Sequence, residues 1–174
     1  DKIPMEMGLV NFLRVLHLDH NGIREVPEGS FGQLTNLEEL SMTRNKLKII
    51  PDDVKDMSSL RRLNLDENQM STFPHPVAKI AGLEELSIAD NGLMRLSHHF
   101  ATLTSLRLLR ISGNNLKKLP AEIGNLQSLT YMDVCHNAIN KIPAEIGYCT
   151  ALLRLNISFN RIPALPSSIG NLEE

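Results

Sequence analysis

Residues 106–128 read LRLLRISGNNLKKLPAEIGNLQS. Leu109 and Ile111 alternate with polar neighbours. That period of two marks a short strand with one buried face. Asn114 closes the strand, Leu116 and Leu119 keep the chain inside, and Pro120 turns it. Ile123 and Leu126 then supply a second apolar pair on a return segment.

The same skeleton, LxxLxLxxNxLxxLPxxIxxLxx, recurs from Leu13, Leu37, Leu60, Leu83, Leu106, Leu129 and Leu152; the first unit has 24 residues and the other six have 23. The fourth column is Leu16, Leu40, Leu63, Leu86, Leu109, Met132 and Leu155. The sixth column is Leu18, Met42, Leu65, Ile88, Ile111, Val134 and Ile157. The ninth is Asn throughout: Asn21, Asn45, Asn68, Asn91, Asn114, Asn137 and Asn160. Pro follows the fourteenth position in every unit but one, where Ser97 replaces it. The extra residue of the first unit falls near Gly29, and Cys149 stands in a leucine column.

One such unit cannot bury its own apolar face, so the units must stack. Stacked strands give a parallel sheet at about 4.8 Å spacing. The return segments, as short helices or turns, line the outside, and tighter packing on the strand side curves the stack. The expected fold is an α/β repeat solenoid: a horseshoe with its sheet on the concave face and its short helices or turns on the convex face. The Asn column sits where the chain leaves each strand, placed to bond backbone groups of its own and neighbouring turns as a ladder. Residues 1–12 fit the back half of a further unit, with Pro4, Met7 and Val10 in register. The whole of 1–174 therefore reads as one domain. Neither end carries the polar cap that terminal units need, which points to a piece of a longer array.

These residues resemble the leucine-rich repeat family, and segments such as LPAEIGNL (119–126) and IPAEIGYC (142–149) resemble its intracellular, Ras-group class of 23-residue repeats. That resemblance implies a non-enzymatic protein-binding module in a cytoplasmic signalling scaffold. Its relatives include the Ras-associating repeats of fungal adenylyl cyclases, Scribble-type polarity proteins and Roco GTPase-kinases. The implied partner is a protein such as a small GTPase or a signalling enzyme, beside further repeats or domains of the same chain, and no cofactor.

Composition narrows the classes further. Aromatic residues make up 4% of the chain, with no Trp, and the net charge is −2. Neither a stacking platform nor a net basic field for nucleic acid is present. No apolar run is long enough for membrane insertion. The two cysteines, Cys135 and Cys149, make no disulfide framework.

With leucine as position one, positions two, three, five, seven and eight face the concave side. That face holds seven Arg and no Lys, although the chain has eight Lys. Protein interfaces show the same enrichment of Arg over Lys. Position two alternates Arg14, Glu38, Arg61, Glu84, Arg107, which reads either as a ladder of opposite charges fixing register or as a docking stripe. The last three units place Leu108, Tyr131, Leu153 and Phe159 among Arg110, Asp133 and Arg154. Aromatic anchors ringed by Arg are typical of binding hot spots, although Leu153 and Phe159 could equally pack on a further unit. With Arg62 from the third unit, the expected partner-binding set is Arg62, Leu108, Arg110, Tyr131, Asp133, Arg154 and Phe159.

Asp133, Cys135 and His136 contain the residue types of a nucleophile, a base and an orienter. On an open sheet they lack a cleft, an oxyanion hole and anything to depress the thiol pKa. His17, Asp19 and His20 on one strand do not converge as metal ligands do. His75, His98 and His99 read as surface residues, and the sequon at Asn156–Ser158 lies on a strand. Two further classes stay open on sequence grounds: a regulatory repeat domain of a larger cyclase, kinase, phosphatase or ubiquitin ligase, and a structural subunit of a large assembly. An extracellular receptor is disfavoured by the lack of cysteine caps.

Overall fold

The computed structural model describes residues 2–172, so the expected domain limits at 1 and 174 lie outside the described residues. Seven three-residue strands form one parallel sheet in chain order. They are β1 (Val15–His17), β2 (Glu39–Ser41), β3 (Arg62–Asn64), β4 (Glu85–Ser87), β5 (Leu108–Arg110), β6 (Tyr131–Asp133) and β7 (Arg154–Asn156). The register is that of the repeat: Leu16, Leu40, Leu63, Leu86, Leu109, Met132 and Leu155 pair in sequence across the sheet. The sheet curves, and the molecule is the solenoid that the stacking requires.

The return segments are 3-10 helices of five residues: η1 (Met5–Leu9), η2 (Asp52–Asp56), η3 (His75–Lys79), η4 (His98–Thr102), η5 (Ala121–Asn125), η6 (Ala144–Tyr148) and η7 (Ser167–Asn171). Such short segments between two fixed apolar columns suit the tighter 3-10 winding. Pro51, Pro74, Pro120, Pro143 and Pro166 sit extended at the N-caps. A proline there sacrifices only an N–H that the helix could not use. Where Ser97 takes that place, its Oγ accepts from the His99 N–H at 3.4 Å.

The first unit departs from the others. Its extra residue puts Gly29 at φ 86°, and no helix forms between β1 and β2. The N–H groups at the end of that turn are held from the next unit: Asp53 Oδ2 accepts from the Phe31 and Gly32 N–H groups at 2.9 and 2.7 Å. Asp53 is buried and its Oδ1 has no partner.

The core lies between sheet and helices as one continuous cluster. Leu40, Leu86, Leu109 and Met132 are fully inaccessible, as are Phe31 and Phe100 on the convex side. In the outermost strands Leu16, Leu18, Leu155 and Ile157 are only half-buried, since each has a neighbouring strand on one side alone.

The asparagines form the expected bonds in six units. Asn114 Nδ2 donates to the carbonyls of Ile88, Ile111 and Ser112 at 3.0, 3.1 and 3.1 Å, and its Oδ1 accepts from Leu93 N–H at 2.9 Å. Asn45, Asn68, Asn91, Asn137 and Asn160 repeat the pattern. Asn21 does not: it is exposed, and its Nδ2 reaches only the Asp19 carbonyl. Among the described residues no strand lies on the outer side of β1, so the inter-unit bonds of the other asparagines have no counterpart there.

Candidate functional site

The concave face divides into two halves by its electrostatics. In the first half the charges close on themselves. Glu39 accepts from both His17 Nε2 and Arg62 Nε at 2.8 Å. Those two bonds, His17's first, hold its carboxyl below the usual range. Arg14 pairs with Glu38 at 3.2 Å, Arg61 with Glu84 at 3.8 Å and Arg44 with Glu67 at 2.6 Å. The alternating column is thus partly a ladder of neighbouring pairs. Each pair is solvent-exposed and contributes roughly 0–1 kcal/mol.

Position seven adds a second row. Asp19 Oδ1 accepts from Ser41 Oγ, Thr43 N–H and Thr43 Oγ1 at 2.6, 2.6 and 2.8 Å. Burial pulls its pKa up, but those bonds outweigh burial and leave it below the ordinary value. Asp66 accepts from Ser87 Oγ and Ala89 N–H in the same way, but there burial prevails and its carboxyl stands above its ordinary value.

The second half is different. Among the described residues, no carboxylate lies in ion-pair range of Arg107, Arg110 or Arg154. Arg110 instead lies over the Tyr131 ring, 5.8 Å from its centroid. Tyr131 is half-buried between its register partners Leu108 and Arg154. Phe159 stacks on His136 with centroids 4.1 Å apart, and its ring is 73% exposed. Leu153 is exposed as well.

Arg62, Leu108 and Arg110 line one shallow depression of about 240 Å³ with Glu39, Glu85 and Ser87. That is below the usual range for a drug-sized ligand and fits single side chains of a partner. Tyr131 and Arg154 continue from it along the sheet. Phe159 lies beyond β7, at the far end of the face from Arg62. Asp133 departs from the expected set: it is buried, not open, at 8% exposure. Its short side chain lies between Arg110 and Asn156 in register and folds back, so that Oδ1 accepts from Cys135 N–H at 3.0 Å.

The thiols are not primed for chemistry. Burial first, and then Asp133, raises the Cys135 pKa. Cys149 is inaccessible and pushed up to about 11 by burial. Neither forms appreciable thiolate at neutral pH. His17, Asp19 and His20 part company, bonding to Glu39, to Ser41 and Thr43, and to Arg44 respectively.

One feature of the face was not readable from residue types. Position eight is left-handed in every unit, with φ between 50° and 58° at His20, Arg44, Glu67, Asp90, His136 and Phe159. Gly113 alone supplies the residue that conformation favours.

The family models agree with this geometry: "Leucine rich repeat" matches residues 12–70 and "Leucine-rich repeat region" residues 89–174. The chain is a leucine-rich repeat protein. A leucine-rich repeat and fibronectin type III domain-containing protein 1-like protein of Danio rerio is 46% identical over 52 residues, covering 29% of this chain and 8% of that protein. The leucine-rich repeat ectodomain of the membrane receptor kinase GASSHO1/SCHENGEN3 of Arabidopsis thaliana, solved in complex with CASPARIAN STRIP INTEGRITY FACTOR 2, superimposes with TM-score 0.86. It is 29% identical, over 99% of this chain and 21% of that one. The plant peptide hormone receptor RGFR1, solved with RGF2, gives TM-score 0.83 at 30% identity over 98% of this chain and 28% of that one. This chain spans a small fraction of each relative. Leucine-rich repeat domains generally mediate protein–protein interaction. Among the described residues, no helix is long and apolar enough to cross a membrane.

Proposed function

We propose that this repeat module captures a partner protein on the second half of its concave face, within a cytoplasmic signalling scaffold. One observation carries the reading: among the described residues, Arg107, Arg110 and Arg154 are left without ion-pair partners around Leu108, Tyr131, Leu153 and Phe159, while the first half neutralises itself. Unpaired guanidinium groups beside exposed aromatic and aliphatic side chains are the composition of a protein-binding hot spot. The two receptor complexes described above support the reading in kind, since each is a repeat domain solved with its ligand. A small GTPase or signalling enzyme is the partner class suggested by the 23-residue repeat pattern. On this reading the module works by binding.

The test is affinity capture from cells with the full-length protein, followed by mass spectrometry and repeated with two variants. Tyr131→Ala/Arg154→Ala/Phe159→Ala is expected to lose the captured partner. Arg14→Ala/Glu38→Ala, confined to the self-paired half, is expected to keep it. Capture unchanged in the triple variant refutes the proposal.

A further inference from the structure

The chain leaves each strand through the residues at positions ten to thirteen, and these segments form one flank of the solenoid. They are tied to one another by a ladder of their own. The position-ten N–H of each unit donates to the position-eleven carbonyl of the unit before. Lys46 reaches Ile23, Gln69 reaches Leu47 and Gly92 reaches Met70 at 2.7–2.8 Å. Asn115, Ala138 and Arg161 repeat this toward Leu93, Leu116 and Ile139 at 2.8–2.9 Å. The flank is therefore a regular lattice.

This flank is basic. Its first two units contribute Arg24, Lys46 and Lys48, and the later units contribute Arg95, Lys117, Lys118, Lys141 and Arg161. All are exposed, and among the described residues none is ion-paired. In the seven full units the only acid at these positions is Glu25, neutralised by Lys2 at 3.3 Å. The opposite flank shows that the bias is one-sided. Among the described residues, the two residues before each unit's first leucine (Thr35–Asn36, Ser58–Ser59, Ala81–Gly82 and their equivalents) include no charged residue. A net charge of −2 conceals this separation. Between the cations two large apolar side chains stand out from the same segments: Ile49 at 71% exposure and Met94 at 64%.

We propose that this flank is a peripheral docking surface for an anionic lipid bilayer. A row of cations roughly 30 Å long, from seven units at about 4.8 Å spacing, meets the negative surface of a membrane rich in acidic phospholipid. Polybasic clusters of this size are attracted to such surfaces. Ile49 and Met94 enter the headgroup boundary as a second, hydrophobic signal. The flank lacks exposed aromatic rings on which bases could stack, and its apolar groups are isolated tips rather than the continuous patch of a protein interface. The concave face, built from other positions of each unit, stays open.

The experiment is co-sedimentation of the purified chain with phosphatidylcholine vesicles, and with vesicles containing about 30% phosphatidylserine, in about 0.1 M salt. Binding is expected on the anionic vesicles alone, weakening as salt rises. Lys117→Gln/Lys118→Gln/Lys141→Gln should weaken it about a hundredfold, at roughly fivefold per cation. Ile49→Ser/Met94→Ser should weaken it about tenfold or more. Arg62→Gln/Arg110→Gln, which removes two cations from the concave face, should leave it unchanged. All these side chains are exposed, and circular dichroism verifies folding. No binding to anionic vesicles overturns the proposal. So does equal binding to neutral ones, indifference to the three lysines, or flank-dependent capture of RNA or of polyglutamate without vesicle binding. None of these outcomes bears on partner capture by the concave face, which the triple variant at Tyr131, Arg154 and Phe159 tests separately.

Discussion

Replacing Asn114 by alanine tests the physical basis of the fold most directly. The side chain is 7% exposed and makes four hydrogen bonds. Two of the carbonyls it serves have other donors: Ile111 keeps Asn137 Nδ2 at 3.0 Å, and Ser112 keeps the Asp90 N–H at 2.9 Å. The loss falls on the other two groups. The Leu93 N–H, on a fully buried residue, is left without a partner, and the Ile88 carbonyl keeps only a 3.5 Å contact from Asn91. A buried group left unsatisfied costs about 1–3 kcal/mol, so the two together cost about 3 kcal/mol. With a urea dependence of about 2 kcal/mol per molar, the unfolding midpoint should fall by about 1.5 M. Asn21→Ala is the internal control. That side chain is exposed with a single bond, and its loss should stay within about 0.5 kcal/mol. Urea titrations of both variants, followed by circular dichroism, provide the comparison. Equal midpoints for the two variants would refute the view that inter-unit bonds, rather than the asparagine column as such, stabilise the stack.

Three further outcomes follow from particular contacts. Gly147→Ala should destabilise by about 1–3 kcal/mol in the same titration, since an added Cβ would lie 2.5 Å from the Ser168 carbonyl oxygen. Asp53→Ala should cost about 1.5–3 kcal/mol, because the Phe31 and Gly32 N–H groups lose their charged acceptor; hydrogen exchange should show the loosening at that turn first. Asp66 titrates above its ordinary value, chiefly through burial, so the folded state holds this proton more tightly than the unfolded chain. Its contribution is therefore most favourable at low pH and declines as pH rises from the unfolded to the folded pKa. The stability difference between the native chain and Asp66→Asn, measured across pH, should move in the variant's favour over that window, and a shift the other way would refute the sign.

The fold was legible because stacking imposes the same burial on every unit. Leu86 and Leu109 are buried for the same reason, and that shared reason makes a column. The expected class, the strand register and the inner asparagines all rest on this periodicity. What depends on particular contacts within and between units was not legible. Asp133 sits at a position shared with exposed residues such as His17, yet it is buried, because its short side chain folds onto Cys135 N–H. The first unit loses its helix to one inserted residue, and the aspartate that holds the resulting turn lies in the next unit. The two electrostatic halves of the concave face emerge only when Arg62 is seen beside Glu39, and Arg110 over the Tyr131 ring. Net charge, being a sum, conceals both that division and the basic flank.

Position eight shows how such a lattice sets its surface. A left-handed residue other than glycine costs roughly 1 kcal/mol, yet six of the units accept it. The backbone explains why. From that conformation each N–H aims at the next unit: His20 to Thr43, Arg44 to Asp66, Glu67 to Ala89, and onward to His136 and Ser158, all at 2.9–3.0 Å. Glycine would relieve the strain and keep the bond, but it would remove the side chain. The retained side chains meet one another along the stack, Arg44 with Glu67 and His136 with Phe159. They form a ridge between the concave face and the basic flank. The two surfaces therefore lie on either side of a rigid, regularly bonded edge, and each can change its side chains without disturbing the register that supports the other.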